Sequence, residues 1–467
     1  MMRPRSQSTD GTRVLATAVV SVVRVSQQDV CIDCSLHKKI WYGRYCKFIS
    51  SWEKRKTGVS MKQGSSSLML SIMLFFLCAD KVYSAPVNAI TDLQPTLIVL
   101  SIDSFRNDYL ETLSVPTLSA LAQKGVHAPL IAVFPSITFP NHYSIATGLY
   151  PEHHGIIMNE FVSKTMKEPF TYTGHRPTVK DPEWWKGEPI WVSAEKQGQR
   201  TASALWPVSG FAVQGVRTAY YEDYPEDAPP DAKVDRILAW LDLPQKERPT
   251  LLLGYFENLD NAGHAQGPRS QAVRDTAKTI DAAIGRLLQG LQARGIAQKV
   301  NLVILSDHGM SPINPKKVID LMQIIPEDSL QAITDSDAVV AVYPKPEKLE
   351  AVYERLRHTP GMRTYRDTDI PSDFHFRSTH TPPILCVADE EGYLLAKQKE
   401  PQKGTHGYAP QLQSMQAVFI AVGPAFREKY TRSAIANIHL YSLFAHLLGL
   451  QPVKTDGTLS SLRDILK

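Results

Sequence analysis

Six nitrogen- or oxygen-donor side chains close short segments of this chain. Asp103 ends TLIVLSID, Asp260 and His264 stand four apart in DNAGH, Asp307 and His308 adjoin in SDHGM, and His406 lies in GTHGY. Carboxylates and imidazoles together suit zinc or a similar divalent ion. Six donors exceed what one catalytic ion takes, and a pair of ions a few ångströms apart would use them all. Asp260 and His264 can reach one ion from a loop or a helical turn, whereas Asp307 and His308 can share one only from an irregular strand end. Singly, each has a plainer reading, an Asp as a helix cap and a His as a structural hydrogen-bonding residue. Independent caps, however, have no reason to recur with histidines after each central strand.

The segment Phe134 to His142, FPSITFPNH, is a proline-braced turn that presents Thr138 just before a helix expected over Asn141 to Thr147. A hydroxyl there sits at a positive helix end, where an anion is favoured. Unaided threonine is a poor nucleophile, but coordination to a divalent ion favours its alkoxide. Thr138 as the helix N-cap is compatible with that role.

The elements that must position these residues follow from apolar patterning. Thr96 to Asp103, Leu251 to Phe256 and Asn301 to Ser306 are short, almost unbroken apolar runs, as expected of strands buried on both faces of a parallel sheet. A helix with Pro116 near its start and Gly125 at its end follows the first. Between the other two, Val273, Ala277, Ile280, Ile284, Leu287, Leu288 and Leu291 fall on one helical face. Alternating strands and amphipathic helices predict a doubly wound α/β fold, with ligands beyond the carboxyl ends of the strands, where the acidic residues gather. A small inserted cap is expected over about 331–396, with short strands such as AVVAVYP and a helix from Pro346 to Arg357. After it the chain returns to the main domain through the strand AVFIAVG and the helix HLYSLFAHLLGL.

The net charge of +4 over 467 residues is confined to the start: residues 1–60 carry 11 Lys+Arg against 4 Asp+Glu, leaving residues 61–467 at −3. The body is therefore no polyanion-binding surface, and no specific nucleic-acid partner is expected. From Met61 one lysine precedes an apolar core, Leu68 to Cys78, and then Val82-Tyr83-Ser84, the outline of a secretory signal peptide over 61–84 cleaved after Ser84. The apolar run is short for a permanent anchor, so no membrane span is expected in the mature chain 85–467. Lipidation at Cys78 is a minor alternative. Residues 1–60 read as a non-native or disordered leader from an upstream start. Cys31, Cys34 and Cys46 fall in that leader, so Cys386 is left alone and no internal disulfide is expected.

Six motifs, SIDSFR, PSITFPNHYSIATGLYPEHHGIIMN, GEPIW, DNAGHAQGP, SDHGM and GTHGY, occur in the order seen in the nucleotide pyrophosphatase/phosphodiesterase family of the alkaline phosphatase superfamily. From about Thr96 to its C-terminus the chain resembles a bacterial secreted member. The resemblance implies an alkaline-phosphatase-like α/β fold with a mostly parallel central sheet, helices on both faces and the small cap. It implies two zinc ions, one held by Asp260, His264 and His406, the other by Asp103, Asp307 and His308, the second also contacting Thr138. It further implies a phospho-threonine intermediate hydrolysed by a zinc-activated water, with Asn159 donating a hydrogen bond to a non-bridging phosphate oxygen.

For the substrate, the resemblance makes Phe139 an aromatic that stacks on a base, Tyr224 its partner across a slot, and Lys186 a contact for distal phosphates. Ile137 departs from the vertebrate pattern, where a lysine often stands. The expected product is a nucleoside 5′-monophosphate; a phospholipid or choline-phosphate diesterase, or a phosphomonoesterase of the superfamily, is the alternative. The enzyme is expected to be periplasmic or secreted, and monomeric or weakly associated.

Overall fold

The computed structural model of the protein describes residues 88–467 apart from 172–177, 226–227, 336 and 398–399. The expected leader (1–60) and signal segment (61–84) lie outside the described residues.

Every residue of the strand Thr96–Ile102 is buried. Leu97 and Val99 join one hydrophobic core, and Ile98, Leu100 and Ile102 join another on the opposite face. Burial on both faces removes the polar alternation of a half-exposed strand. The strand pairs in parallel with Leu251–Phe256 on one side and Val300–Leu305 on the other. The nine-stranded sheet continues through Thr201–Ala204 to Tyr220–Glu222 at one edge. At the other it continues through Ala417–Val422 and Val126–Ile131 to the short strands Tyr430–Thr431 and Ile435–Ala436.

Only Ala417–Val422 runs against the rest, antiparallel to both neighbours, so the sheet is mixed by a single reversal. An apolar run reports burial and not direction, which is why the sequence left this open. The reversal has a positional consequence. The start of this strand lies beside Leu305, at the edge where the parallel strands end, so the loop bearing His406 enters the sheet at the same edge as Asp103 and Asp307.

Helices Pro116–Lys124, Pro230–Leu241 and Gln271–Ala293 cover one face of the sheet. In the last, Val273, Ala277, Ile280, Ile284, Leu287 and Leu291 are buried, and Ser270 caps it by accepting the Val273 N–H. Each buried Leu or Ile contributes roughly 1.5–3 kcal/mol, enough for this stripe to fix the helix on the sheet. Thr138–Thr147, Ile190–Lys196 and Leu440–Leu447 cover the other face.

A second sheet, antiparallel, runs in the order Leu330–Ile333, Val339–Pro344, Ile384–Ala388, Met362–Arg366. Val340, Val342, Ile384 and the buried, free Cys386 pack with helix Leu349–Leu356. Val339, Ala341, Tyr343 and Leu385, alternating with them, join the main core. The small sheet is therefore bound to the main sheet through shared apolar burial.

Candidate active site

Asp103 follows directly on strand Thr96–Ile102, and Asp307 and His308 follow Leu305 outside any regular strand. Gly309 lets this segment approach the backbone of Ser414 closely, because a Cβ there would stand 2.0 Å from the Ser414 carbonyl oxygen. Asp260 and His264 lie one turn apart on helix Asn258–Gln266, with Oδ2 and Nε2 3.3 Å apart. His406 follows the short strand Gly404–Thr405.

These six residues form two groups, Asp260 with His264 and His406, and Asp103 with Asp307 and His308; within each group one ligand atom per residue lies within 4.8 Å of the others. In the first, the Nε2 atoms of His264 and His406 are 3.1 Å apart. In the second, His308 Nε2 is 3.1 Å from Asp307 Oδ2 and 3.5 Å from Asp103 Oδ1. The groups adjoin, because the His308 and His406 rings stack with centroids 3.9 Å apart.

The histidine tautomers follow from their partners. Nδ1 of His264 bonds Gly404 O at 2.9 Å, Nδ1 of His308 bonds Gly309 O at 3.0 Å, and Nδ1 of His406 bonds Ser136 O at 3.0 Å. A carbonyl only accepts, so each Nδ1 carries a proton, and in the neutral ring each Nε2 presents a lone pair. Two such lone pairs 3.1 Å apart repel unless a proton or a cation lies between them. Asp103 Oδ1 and Asp307 Oδ2 are buried without a hydrogen-bond partner, which is costly for carboxylate oxygens. Bare imidazole nitrogens and orphaned carboxylate oxygens fit a pair of divalent cations of the zinc type.

The titration of these groups follows the crowding. Burial, then Asp307 and Asp260, raise Asp103 well above the usual carboxylate range. Desolvation pushes Asp260 and Asp307 upward too. It is outweighed by His264 at Asp260, which ends below the usual range, and by His308 and His142 at Asp307, which falls to about 2. Burial depresses His264, but Asp260 outweighs it and lifts that histidine to about 9. At His308 burial prevails and lowers it to about 4. Three carboxylates in one desolvated site make it a strong attractor for cations.

Thr138 is the first residue of helix Thr138–Thr147, and Ile137, in extended conformation, is the N-cap. Its Oγ1 lies 3.2 Å from His308 Nε2, at the second group. Asn159 Oδ1 accepts the Phe139 N–H at 2.9 Å. Because that partner is a donor, the assignment of the carboxamide is settled, and Nδ2 is the end left to donate to a ligand.

Phe139 is half-buried, with Phe170 edge-on at 6.1 Å and Trp185 tilted at 6.4 Å. Tyr224 has different surroundings. It packs against the core on the opposite face of the sheet from the one Phe139 joins, its hydroxyl donates to Ala232 O at 3.3 Å, and Lys233 Nζ lies 5.7 Å from its ring centroid. Lys186 is exposed beside His380, which burial and then Lys186 lower to about 4.

Three residues that the sequence did not single out, the buried His142 and Ser104 and the partly buried Tyr255, touch the candidate ligands. The Tyr255 hydroxyl donates to Asp103 Oδ2. His142 Nδ1 lies 3.0 Å from Thr138 O and 3.3 Å from Asp307 Oδ2, and its Nε2 meets Ser101 Oγ at 2.9 Å. Ser104, at φ +59°, donates to Asp260 Oδ1 at 2.6 Å and lies 3.3 Å from His308 Nδ1, linking the two groups. His142 stands one turn from Thr138 because the helix starts at Thr138, three residues before its expected start, so the spacing becomes informative only in the structure.

Comparison with known proteins agrees with this geometry. Residues 97–409 match the family described as type I phosphodiesterase / nucleotide pyrophosphatase. An uncharacterized pyrophosphatase/phosphodiesterase of Schizosaccharomyces pombe is 35% identical over 440 residues, covering 88% of this chain and 90% of the relative. Ectonucleotide pyrophosphatase/phosphodiesterase family member 3 of Rattus norvegicus is 34% identical over 388 residues, 80% of this chain; the match spans only 44% of that longer relative. The solved structure of murine ectonucleotide pyrophosphatase/phosphodiesterase 5 superposes with a TM-score of 0.76 at 31% identity, covering 80% of this chain and all of that one. An inactive variant of the mouse protein has been solved in complex with AMP.

Proposed function

The chain belongs to the type I phosphodiesterase/nucleotide pyrophosphatase family of hydrolases, and from that premise we propose that it hydrolyses nucleotide pyrophosphate and phosphodiester bonds with Thr138 as nucleophile, releasing nucleoside 5′-monophosphates. The observation that carries this reading is the hydroxyl of Thr138 at the start of a helix, 3.2 Å from His308 Nε2 in one of two adjoining donor groups.

Asp260, His264 and His406 would hold one divalent ion, zinc by the chemistry of the donors, and Asp103, Asp307 and His308 a second. Bound there, the ions would neutralise phosphate charge and favour the threonine alkoxide. Thr138 Oγ1 forms a bond to phosphorus as the bond to the leaving oxygen breaks, the leaving group keeping the electron pair. The phosphothreonine diester so formed still carries the nucleoside. Water attacks the same phosphorus, returns the threonine hydroxyl and releases the monophosphate. Asn159 Nδ2, free to donate because Oδ1 is held by Phe139 N–H, stabilises charge on a non-bridging oxygen in both steps. Phe139, braced by Phe170 and Trp185, offers a π-face to the base. Tyr224 and Lys186 are candidates for further substrate contacts, to be read through KM in alanine variants.

Export is part of the proposal, supported by the ectoenzyme names of relatives. Among the described residues no helix is long and apolar enough to cross a membrane.

Steady-state hydrolysis of the nitrophenyl ester of thymidine 5′-monophosphate against nitrophenyl phosphate, before and after chelation and zinc readdition, tests the reading. Chelator-sensitive activity that favours the nucleotide diester supports it. Preference for the monoester, or activity confined to choline or lipid phosphodiesters, contradicts it.

A further inference from the structure

The two oxygens of Asp103 have different surroundings. Oδ2 receives the hydroxyl of Tyr255, while Oδ1 is buried without a hydrogen-bond partner and faces His308 Nε2 at 3.5 Å. Tyr255 lies on the neighbouring strand, Leu251–Phe256, in register with Ser101. Two residues of pleat and loop therefore separate its backbone pairing from the carboxylate it reaches. Its ring packs edge-on against His142, with centroids 5.0 Å apart. His142 in turn lies 3.3 Å from the other carboxylate of the same group, at Asp307 Oδ2, and 3.0 Å from the carbonyl of Thr138.

A carboxylate with one oxygen fixed by a donor can rotate only at the expense of that bond, and with a cation bound to keep the group ionised that bond would be charge-assisted, among the stronger ones available. We propose that Tyr255 is a positioning residue for the second ion site. Its hydroxyl holds Oδ2 of Asp103, aims Oδ1 at the space shared with Asp307 and His308, and leaves the Asp260, His264, His406 site untouched. This rests on the reading of the two groups as ion sites. The plainer role, a strand tyrosine filling the core, needs the ring and not the hydroxyl, so Tyr255→Phe separates the two.

The experiment titrates zinc into metal-free protein in competition with a chromogenic chelator, for the wild type, Tyr255→Phe, Asp103→Asn and the double variant, each checked by melting temperature. Wild-type protein is expected to bind two ions. Tyr255→Phe should weaken one of them about tenfold to a hundredfold, the usual range for an outer-shell partner, with the other unchanged and with kcat for the thymidine ester falling more than KM rises. In the Asp103→Asn background, Tyr255→Phe should add no further loss, since the hydroxyl acts through that carboxylate. Wild-type affinities for both ions in Tyr255→Phe overturn the proposal and leave the tyrosine its packing role; a loss of the same size in the Asp103→Asn background also overturns it, because the hydroxyl would then act through a group other than that carboxylate. A wild-type protein that fails to bind two ions refutes the two-site reading itself, an outcome distinct from either.

Discussion

The carboxamide oxygen of Asn159 accepts the backbone N–H of Phe139 at 2.9 Å. One bond thereby ties the side chain proposed to donate to phosphate to the residue after the proposed nucleophile, and decides which end of the amide can donate. Asn159→Ala should lower kcat by about 10²–10³, the range for loss of a donor to a developing oxyanion, with little change in KM. Asn159→Asp should be at least as damaging, because it sets a negative charge against phosphate. Steady-state kinetics on the thymidine ester reads both. A parallel fall in affinity with kcat unchanged would assign Asn159 to binding alone.

Thr138→Ala removes the attacking oxygen and leaves all six nitrogen and carboxylate donors in place. Activity should fall by on the order of 10³ or more, while the zinc stoichiometry stays that of the wild type. Thr138→Ser should keep part of the activity. Turnover unchanged in the alanine variant would remove Thr138 from the chemistry.

Phe139→Ala should raise KM for the nucleotide ester about 5- to 150-fold, corresponding to about 1–3 kcal/mol of base stacking. It should scarcely affect a small diester without a base, such as bis-nitrophenyl phosphate. Equal losses on both substrates would mean that the ring supports Trp185 and Phe170 and does not meet the base.

Buried His154 gives a pH signature independent of the active site. Its Nδ1 accepts the Ile156 N–H at 3.1 Å and its Nε2 meets Ser144 Oγ at 3.0 Å. A second ring proton would face the Ile156 N–H. Burial lowers this histidine to about 3, against about 6.5 in an unfolded chain. The unfolded state therefore binds the proton first. The stability His154 confers is complete above about pH 6.5 and declines as the pH falls towards 3, by about 1.4 kcal/mol per unit. Urea unfolding at pH 7.5 and pH 5 should show a loss about 2 kcal/mol smaller in His154→Asn than in the wild type. An identical pH dependence in the two would contradict this.

Much of the site was legible because its residues end buried strands. Unbroken apolar runs place Asp103 and Asp307 at one sheet edge, and the four-residue spacing of Asp260 and His264 becomes one helical turn. The helix that carries the proposed nucleophile begins three residues earlier than its pattern suggested, at Thr138. Pro140 misleads there, since a proline in the first helical turn sacrifices no hydrogen bond. Tyr255 and Ser104 could not be read in advance, because a tyrosine in an apolar run looks like core and a serine after an aspartate like a turn. Their contacts with Asp103 and Asp260 exist only once distant segments meet. The reversal of Ala417–Val422 was hidden for the same reason, as strand direction depends on the connection and not on composition.

The central claim is a covalent step at Thr138, and the configuration at phosphorus tests it most directly. A single diastereomer of the nitrophenyl ester of thymidine 5′-phosphorothioate is hydrolysed in ¹⁸O-water, and the chirality of the product is determined. Two successive in-line displacements, first by Thr138 and then by water, predict net retention. Net inversion would mean that water attacks directly and that Thr138 never bonds to phosphorus.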